Sequence, residues 1–570
     1  MLTVGIYGIP DTSGFSGSPA YSHDHSLTLM REGRVLSYIQ LERYTQKKHD
    51  NRLCDYIEEI LSDLLSLHLR ADEPLRFVMA NSFLGDSFIS SGGNLRIEPK
   101  KILKIEEIIA PARCSFFPDG LEKKECEAYI ICHEFAHIAS VLPFYRDFPN
   151  NSLLVHLDGG ASVSNCSVWH YDKGKIRLLD HSWDKLKKYV NNFNANPLVR
   201  FILNHEPSDH LAIPGKLMGY SSYGNDNEYV RKWLIENNFF LDFTGEKEEL
   251  LATINNKFKT KFKTYDLDKQ FFKDVAFAIQ REFEEKVIDY LSVWQEKCSA
   301  ENLVYSGGSA LNIILNSKIQ RSGRFKKICI PPAVSDCGLS LGAASYLEWR
   351  EHGSIKKHSP FLNNYPDNSK DNKPFLNPQE IGDLIYQNKV IGLFIGNSET
   401  GPRALGHRSI IGRPDNYELR IKISESIKGR EWYRPVAPVM TEKIAKKVLV
   451  EDIKEDNLCR FMLGAYNVKE GYQDKLSGVI HADNTVRAQI IYKNDSDTEL
   501  LYRILEYLEQ KYEIFALINT SFNIRGRPII QRPEDAPSLA EKMGLDGIII
   551  NGNTYILHNT YLKSEFKPQK

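Results

Sequence analysis

Apolar residues recur along this chain with two periods. In "SLTLMREGRVLSYIQLER" they alternate with polar ones on either side of an Arg-Glu-Gly-Arg turn, which predicts a β-hairpin. Ahead of it, "MLTVGIYGIP" predicts a strand and then a long loop. In "CDYIEEILSDLLSLHL" the apolar positions fall every three to four residues, the spacing of one helical face, and "CEAYIICHEFAHIASVLPF" reads as helical too. "SLLVHLDGGASVSNCSVWHYDKGKIRLL" predicts a three-stranded antiparallel meander with a Gly-Gly bend after Asp158. Residues from about 225 to 300 predict charged, amphipathic helices. "NLVYSGGSALNIILNSKI" predicts a strand running into a glycine turn, and "KICIPPAVSDCGLSLGAASYLEW" a strand, a loop and a helix.

The pattern breaks at "REHGSIKKHSPFLNNYPDNSKDNKP", residues 350–374, which is rich in Asn, Pro, Lys and Ser and has no apolar period. Beyond it, "VIGLFIG", "ALINTSFN" and "GIIINGNTYIL" predict strands and "DTELLYRILEYLEQKY" a helix. "VIHADNTVRAQII" puts Arg487 on a strand. The reading is an α/β protein of two units, residues 1–352 and 375–570, joined by a linker over 353–374, with no short-period repeat.

Composition narrows the class. At 570 residues the chain exceeds one ordinary domain, and 42% hydrophobic with 26% charged residues is a globular balance. A net charge of −1 gives no electrostatic reason to expect nucleic acid or a membrane as partner. No basic segment precedes the first strand, as a signal peptide would require, and no apolar run reaches the ~18 residues that span a bilayer. Nine cysteines without a CxxC pair read as reduced thiols, so the expected setting is cytoplasmic.

The chemistry-bearing residues fall into two groups. "HEFAH" is a His-Glu-x-x-His pattern: His133 and His137, four apart, share a helical face and suit a metal. A zinc protease needs a third histidine in a HExxHxxGxxH frame, or a glutamate on a following helix. "HEFAHIASVLPF" has neither the glycine nor that histidine, and a β-hairpin follows instead of a helix. The Gly-Gly turns at Gly159 and at Gly307–Gly308 bring bare backbone N–H groups to an anion. In the second unit, "GNSETGPRALGHRSI" carries Arg403 and Arg408, and "ESIKGREWYRPVAP" carries Lys428, Arg430 and Arg434. "LINTSFNIRGRPII" places Asn519, Thr520, Ser521 and Asn523 at a strand end, and His481 precedes Arg487. Guanidinium forks and small polar residues in Gly/Pro-bounded turns suit a phosphate or carboxylate.

Taken in order, these segments resemble the O-carbamoyltransferase family that includes nodulation-factor enzymes and antibiotic-tailoring enzymes of the tobramycin and cephamycin types. "HDHSLTLMREGRVLSYIQLERYTQKKHD", "GKLMGYSSYG", "SGGSALN", "SDCGLSLGAA", "GPRALGHRS", "REWYRPVAP", "VRAQ" and "NTSFNIRGRPI" follow the family's sequence of motifs over nearly the whole chain. The resemblance implies an actin/Hsp70/sugar-kinase-like N-terminal unit, similar to the transferase that places threonylcarbamoyl on tRNA, joined to a YrdC-like unit. It implies that carbamoyl phosphate and ATP give carbamoyl-adenylate and pyrophosphate in the second unit, and that an acceptor hydroxyl then attacks the carbamoyl carbonyl in the first. It implies a divalent metal on His133, His137, Asp158 and Asp336, of Fe(II) type by its two imidazoles and two carboxylates, and Mg(II) with ATP. His23 stands where the family has its candidate general base. Lys47, Lys48, Gly159, Lys216, Gly307, Gly308 and Asn312 fall in nucleotide-binding positions. Arg403, Lys428, Arg434, His481, Arg487, Asn519, Ser521 and Asn523 fall in positions for carbamoyl phosphate and ATP. The family's pattern reads His-His-x-x-His where this chain has Glu134, and the loop "DTSGFSGSPAYS" before His23 is long, which bears on acceptor choice. The expected partner is a small hydroxylated acceptor rather than nucleic acid or membrane, a homodimer being left open. A tRNA-modifying enzyme and a non-catalytic nucleotide-binding homologue are the alternatives.

Overall fold

The structure, a computed structural model, describes residues 1–9, 22–82, 85–118, 124–160, 162–364, 377–453, 457–551 and 553–556. Its first sheet contains β1 (Leu2–Tyr7), β2 (Ser26–Arg31), β3 (Arg34–Gln40), β4 (Leu75–Ala80), β5 (Phe88–Ile89), β6 (Leu95–Pro99), β7 (Ile109–Phe116), β8 (Lys124–Glu125) and β9 (Glu127–Ile131). The order is β3-β2-β1-β4-β9-β7-β6-β5, with β8 paired to β7. β3, β2 and β1 form an antiparallel meander, and β1, β4 and β9 run parallel. The expected hairpin is β2–β3, turned through Glu32 and Gly33, both at positive φ.

One expected helix divides. Residues 127–131, read as helical, are strand β9, and the helix begins only at His133. The apolar run "AYII" fits either period when short. Pairing on both sides, with β4 and β7, decides for the strand.

The second sheet contains β10 (Ser152–Leu157), β11 (Cys166–Asp172), β12 (Lys175–Ser182), β13 (Asn302–Ser306) and β14 (Lys327–Cys329), ordered β12-β11-β10-β13-β14. Again three strands form an antiparallel meander whose first member heads a parallel trio. The first half of the chain therefore carries one topology twice, β3-β2-β1-β4-β9 and β12-β11-β10-β13-β14. No short sequence period marks this duplication, because it is one of strand order and not of residues.

Six helices matter to the site: α1 (Leu53–His68), α2 (His133–Ala139), α3 (Ile213–Ser221), α4 (Gln270–Cys298), α5 (Ile313–Arg321) and α6 (Leu339–His352). α6 lies across β1, β2 and β4, and α2 packs between α6 and the second sheet. The two helices cross at Gly342, where a Cβ would stand 1.8 Å from the Ala136 carbonyl oxygen. Glycine is what allows that crossing.

The second half holds α7 (Pro378–Tyr386), α8 (Glu499–Tyr512) and a third sheet of β15 (Ile391–Phe394), β16 (Arg408–Gly412), β17 (Ala437–Thr441), β18 (Gln489–Ile491), β19 (Leu517–Ser521), β20 (Gly547–Ile550) and β21 (Asn553–Ile556). Its order is β18-β17-β19-β16-β15-β20-β21, over a separate apolar core that α7 and α8 help to close. Arg487, expected on a strand, lies in irregular backbone between the paired residues Thr485–Val486 and β18.

Residues 353–364 of the expected linker are laid against both halves. The Lys356 N–H donates to the Gly33 carbonyl, and Asn363 bridges to Tyr38 on β3 and to Ser398. The rest of that stretch lies outside the described residues, as does the loop before His23 except for Ser22. Among the described residues no helix is long and apolar enough to cross a membrane.

Candidate functional site

Strand ends and helix starts bring four side chains to one point. His133 and His137 open and close the first turn of α2, directly after β9. Asp158 follows β10, and Asp336 opens the turn that leads into α6. The two imidazole Nε2 atoms are 3.1 Å apart. Asp336 Oδ1 lies 3.8 Å from His133 Nε2 and 3.4 Å from His137 Nε2, and Asp158 Oδ2 lies 3.7 Å from His137 Nε2. Ligands held at about 2.1 Å from one ion are about 3.0–3.4 Å from one another in octahedral or tetrahedral arrangements. The observed separations fall at or just beyond that range. His133 Nδ1 faces the Asn81 carbonyl at 3.1 Å, so an Nδ1–H donor there leaves the Nε2 lone pair turned inward. The buried His137 Nδ1 has no hydrogen-bond partner among the described residues. The donor set fits a divalent cation.

The surroundings keep these groups in place. Tyr7, at the end of β1, donates its hydroxyl to Asp336 Oδ2 at 2.6 Å. Burial opposes the Asp336 charge, but His23, His137 and His133 hold its carboxyl well below the usual range. Asp158 accepts from the backbone N–H groups of Gly159 and Gly308. Gly307 sits at φ +99°, and a Cβ there would meet the Leu157 carbonyl oxygen at 2.3 Å. The glycine turns expected to cradle phosphate thus aim two N–H groups at the Asp158 carboxylate. His156, absent from the sequence reading, stacks on His137 with ring centroids 5.2 Å apart, its buried Nε2 unpartnered among the described residues.

Glu134 turns away from this point. Its Oε1 accepts from the N–H groups of Val163 (2.7 Å) and Ser164 (3.1 Å), and its Oε2 from the Ser162 hydroxyl (2.9 Å). The glutamate of the His-Glu-x-x-His pattern braces the loop after Asp158 and has no oxygen left over to activate water.

His23 precedes β2, and its Nδ1 lies 3.1 Å from Asp24 Oδ2; Asp24 Oδ1 in turn lies 2.9 Å from His49 Nδ1. Burial lowers the His23 imidazole, but Asp336, Asp24 and Asp158 outweigh it and hold it up to about 10. Asp24 sits at φ +56°, a left-handed backbone uncommon outside glycine, which turns its carboxylate between the two rings.

The anion-binding candidates separate into two sets. Arg403, Arg430, Arg434 and Arg487 line one pocket together with His481, Asp483 and Thr485. Nε of Arg403 and of Arg487 is buried without a partner, and neither residue has an ion pair among the described residues. Burial first, then Arg434, lowers Arg403 to about 10; burial, Arg434 and Arg403 lower Arg430 to about 9. Burial and the same three guanidinia push Arg487 well down. Asp483, the acid on this wall, is taken up by the Thr485 N–H and hydroxyl. Arg403, Arg430 and Arg487 have no ion pair among the described residues and Arg434 has only a 3.6 Å contact with Glu431, so the excess of positive charge suits an anionic ligand.

The second set is already bonded. Lys428 donates to the carbonyl and hydroxyl of Ser521 and to the carbonyl and amide oxygens of Asn523, closing the end of β19. Asn519 donates to Gln489 and to the carbonyl of Ala404, next to Arg403, and its buried Oδ1 has no hydrogen-bond partner among the described residues. His481 Nε2 meets the Tyr433 carbonyl at 3.2 Å. Asn312 caps α5 and pairs with Gln280. Lys47 and Lys48 are exposed, Lys48 near enough to Lys428 to lower it further. Lys216 is held by Glu431. Sequence reasoning also missed Glu399, a buried acid four residues before Arg403. Its Oε1 accepts from the N–H groups of Leu405, His407 and Arg408 and shapes the turn that presents Arg403. Arg408 itself lies over the Phe394 ring and donates to the carbonyls of Ile395 and Gly396.

Comparison with known proteins agrees in both halves. The family model described as carbamoyltransferase N-terminus matches residues 99–345, and that described as carbamoyltransferase C-terminus matches 382–557. Nodulation protein NolNO of Sinorhizobium fredii is 26% identical over 572 residues, 93% of this chain and 78% of that protein. An uncharacterized protein of Methanocaldococcus jannaschii is 27% identical over 558 residues, 94% of this chain and 98% of its own length. Among solved structures, full-length HypF in its phosphate- and nucleotide-bound form aligns at 16% identity and a TM-score of 0.22, over 34% of this chain and 22% of that one. That likeness is too slight to carry a statement about this chain. The two matched models, one on each side of the 353–374 stretch, identify the chain as a carbamoyltransferase and a member of the carbamoyltransferase family.

Proposed function

We propose that the chain is an ATP-dependent O-carbamoyltransferase that works in two steps. In the second half, read as a YrdC-like unit, water releases inorganic phosphate from carbamoyl phosphate, and an oxygen of the resulting carbamate attacks the α-phosphorus of ATP, giving carbamoyl-adenylate and expelling pyrophosphate. In the first half, whose doubled sheet order supports the actin-like reading, a hydroxyl of a small-molecule acceptor attacks the carbamoyl carbonyl and AMP departs. The observation that carries this reading is the group of four guanidinia in one pocket, three of them without an ion pair among the described residues and the fourth, Arg434, with only a 3.6 Å contact to Glu431.

Arg403, Arg430, Arg434 and Arg487 bind phosphate oxygens and offset the charge that builds as pyrophosphate leaves. Asn519 offers its free Oδ1 to a donor on the same ligand. Lys47 and Lys48 supply charge at the mouth. His133, His137, Asp158 and Asp336 would hold a divalent ion, Fe(II) by its donors, which supplies Lewis-acid polarisation of the adenylate. His23 takes the acceptor proton at Nε2 while Asp24 fixes the ring through Nδ1. Asp336, Asp24 and Asp158 keep the imidazole charged, so charge shared between Asp336, Asp158 and a cation would weaken that hold.

The test is pyrophosphate release from ATP that depends on carbamoyl phosphate. His23→Asn is expected to keep that release and to lose carbamoylation of a hydroxylated acceptor. Pyrophosphate release that ignores carbamoyl phosphate would remove the adenylate step from the reading.

A further inference from the structure

The guanidinium pocket has a wall from each half of the chain. Gly215, Met218, Gly219 and Ser222 come from α3 and the residue after it, facing Arg403, Arg430, Arg434 and Arg487. α3 is docked there through Tyr220, whose ring lies 5.2 Å from that of Tyr433. One acid sits within reach of the cations and pairs with only one of them, Arg434. Glu431 follows Arg430 directly, and its Oε2 is buried, without a hydrogen bond among the described residues, 3.6 Å from Arg434 Nη1. Its Oε1 is drawn the other way, to Lys216 Nζ at 2.9 Å and Arg525 Nη2 at 3.4 Å. Lys216 is buried, and its ammonium also donates to His205 Nε2.

We infer that Lys216 is a positioning residue: reaching across from α3, it draws the Glu431 carboxylate toward itself, limits it to the 3.6 Å contact with Arg434, and so keeps the other three guanidinia open to an anionic substrate. The inference rests on the reading that this pocket takes substrate phosphate. A carboxylate tethered one residue from Arg430 has an effective concentration in the millimolar range or above. Enzyme substrates are commonly bound with KM between about 1 μM and 1 mM, so a released Glu431 is a serious competitor. The Lys216 ammonium offers the carboxylate a second cation that the substrate does not need. The same contact ties α3, and with it the pocket wall, to the segment that carries Arg430 and Arg434.

The experiment is a double-mutant cycle read by the KM for carbamoyl phosphate in pyrophosphate release, on the full chain. Lys216→Met is expected to raise that KM about tenfold with kcat kept, the effect of an internal competitor. Lys216→Arg restores it, since a guanidinium also holds the carboxylate. In the Glu431→Gln background, Lys216→Met is expected to change nothing further. An equal rise in KM in both backgrounds would mean that only the field of a lost cation is being felt, and a fall in kcat at constant KM would mean a direct nucleotide contact; either overturns the inference. Arg487→Met serves as the separate control. If it leaves KM unchanged, the reading of the pocket fails; if it raises KM while the Lys216 cycle is additive, the positioning role alone fails. Should the methionine variant not fold, Lys216→Gln enters the same cycle.

Discussion

Replacing Arg487 by Met sets ligand binding against folding stability in a single variant. The guanidinium stands among Arg403, Arg430 and Arg434 with no anion of its own among the described residues, and burial and these three neighbours act against its charge. At an effective dielectric near 20, each like-charged neighbour costs on the order of 1 kcal/mol. Met keeps most of the apolar stem while removing that repulsion. The variant is therefore expected to be as stable as the parent or more so, by up to about 3 kcal/mol. Binding moves the opposite way. A hydrogen bond between charged partners is worth about 1.5–3 kcal/mol, which corresponds to a rise of about 10- to 150-fold in the KM for the anionic substrate. Initial rates of pyrophosphate release against carbamoyl phosphate give the second quantity, and a urea unfolding curve gives the first. Inorganic pyrophosphate should raise the unfolding midpoint of the parent more than that of the variant. A variant with the parent's KM that also unfolds at lower urea would show that Arg487 serves the fold and would refute the pocket.

Three further outcomes follow from the geometry. Gly342→Ala drives a methyl into the Ala136 carbonyl, costs about 1–3 kcal/mol by overpacking, and shifts α2, so metal content by elemental analysis should fall with it. Chelation of the ion is expected to abolish carbamoyl transfer, to leave pyrophosphate release in place and to lower the melting temperature, because binding to the folded state alone is lost. His358 accepts the Val35 N–H at Nε2, and burial, then Arg34 and Lys356, lowers it to about 4. The unfolded chain binds that proton near pH 6.5, so the stabilisation is complete above about 6.5 and is lost as pH falls toward 4, on the order of 3 kcal/mol in all. His358→Gln, which keeps an acceptor, should flatten that part of the stability profile.

Among the candidate metal ligands, Asp158 and Asp336 came only through the family resemblance, whereas His133 and His137 were legible in sequence because they lie four apart on one helix. The convergence of all four was not, since it depends on α6 crossing α2 at Gly342, a contact between residues about 200 positions apart. The arginines were legible by type and turn context, whereas the division between a set short of anions and a bonded Lys428 set required the side-chain partners. Glu134 shows the limit of a motif: the pattern is complete, yet three donors from the loop after β10 claim both of its oxygens. The strand at 127–131 was misread because a short apolar run has no period of its own, and only pairing with β4 and β7 reveals it.

Because α3 and its neighbours close the arginine pocket from the opposite half, the pocket proposed for the first reaction is complete only when the whole polypeptide is assembled. Expressed alone, residues 375–570 would present those guanidinia to bulk water and take up phosphate weakly and without discrimination. Supplying residues 1–352 as a separate chain should restore tight uptake. A gene cut between the two would thus encode partners that recognise each other through the substrate they share.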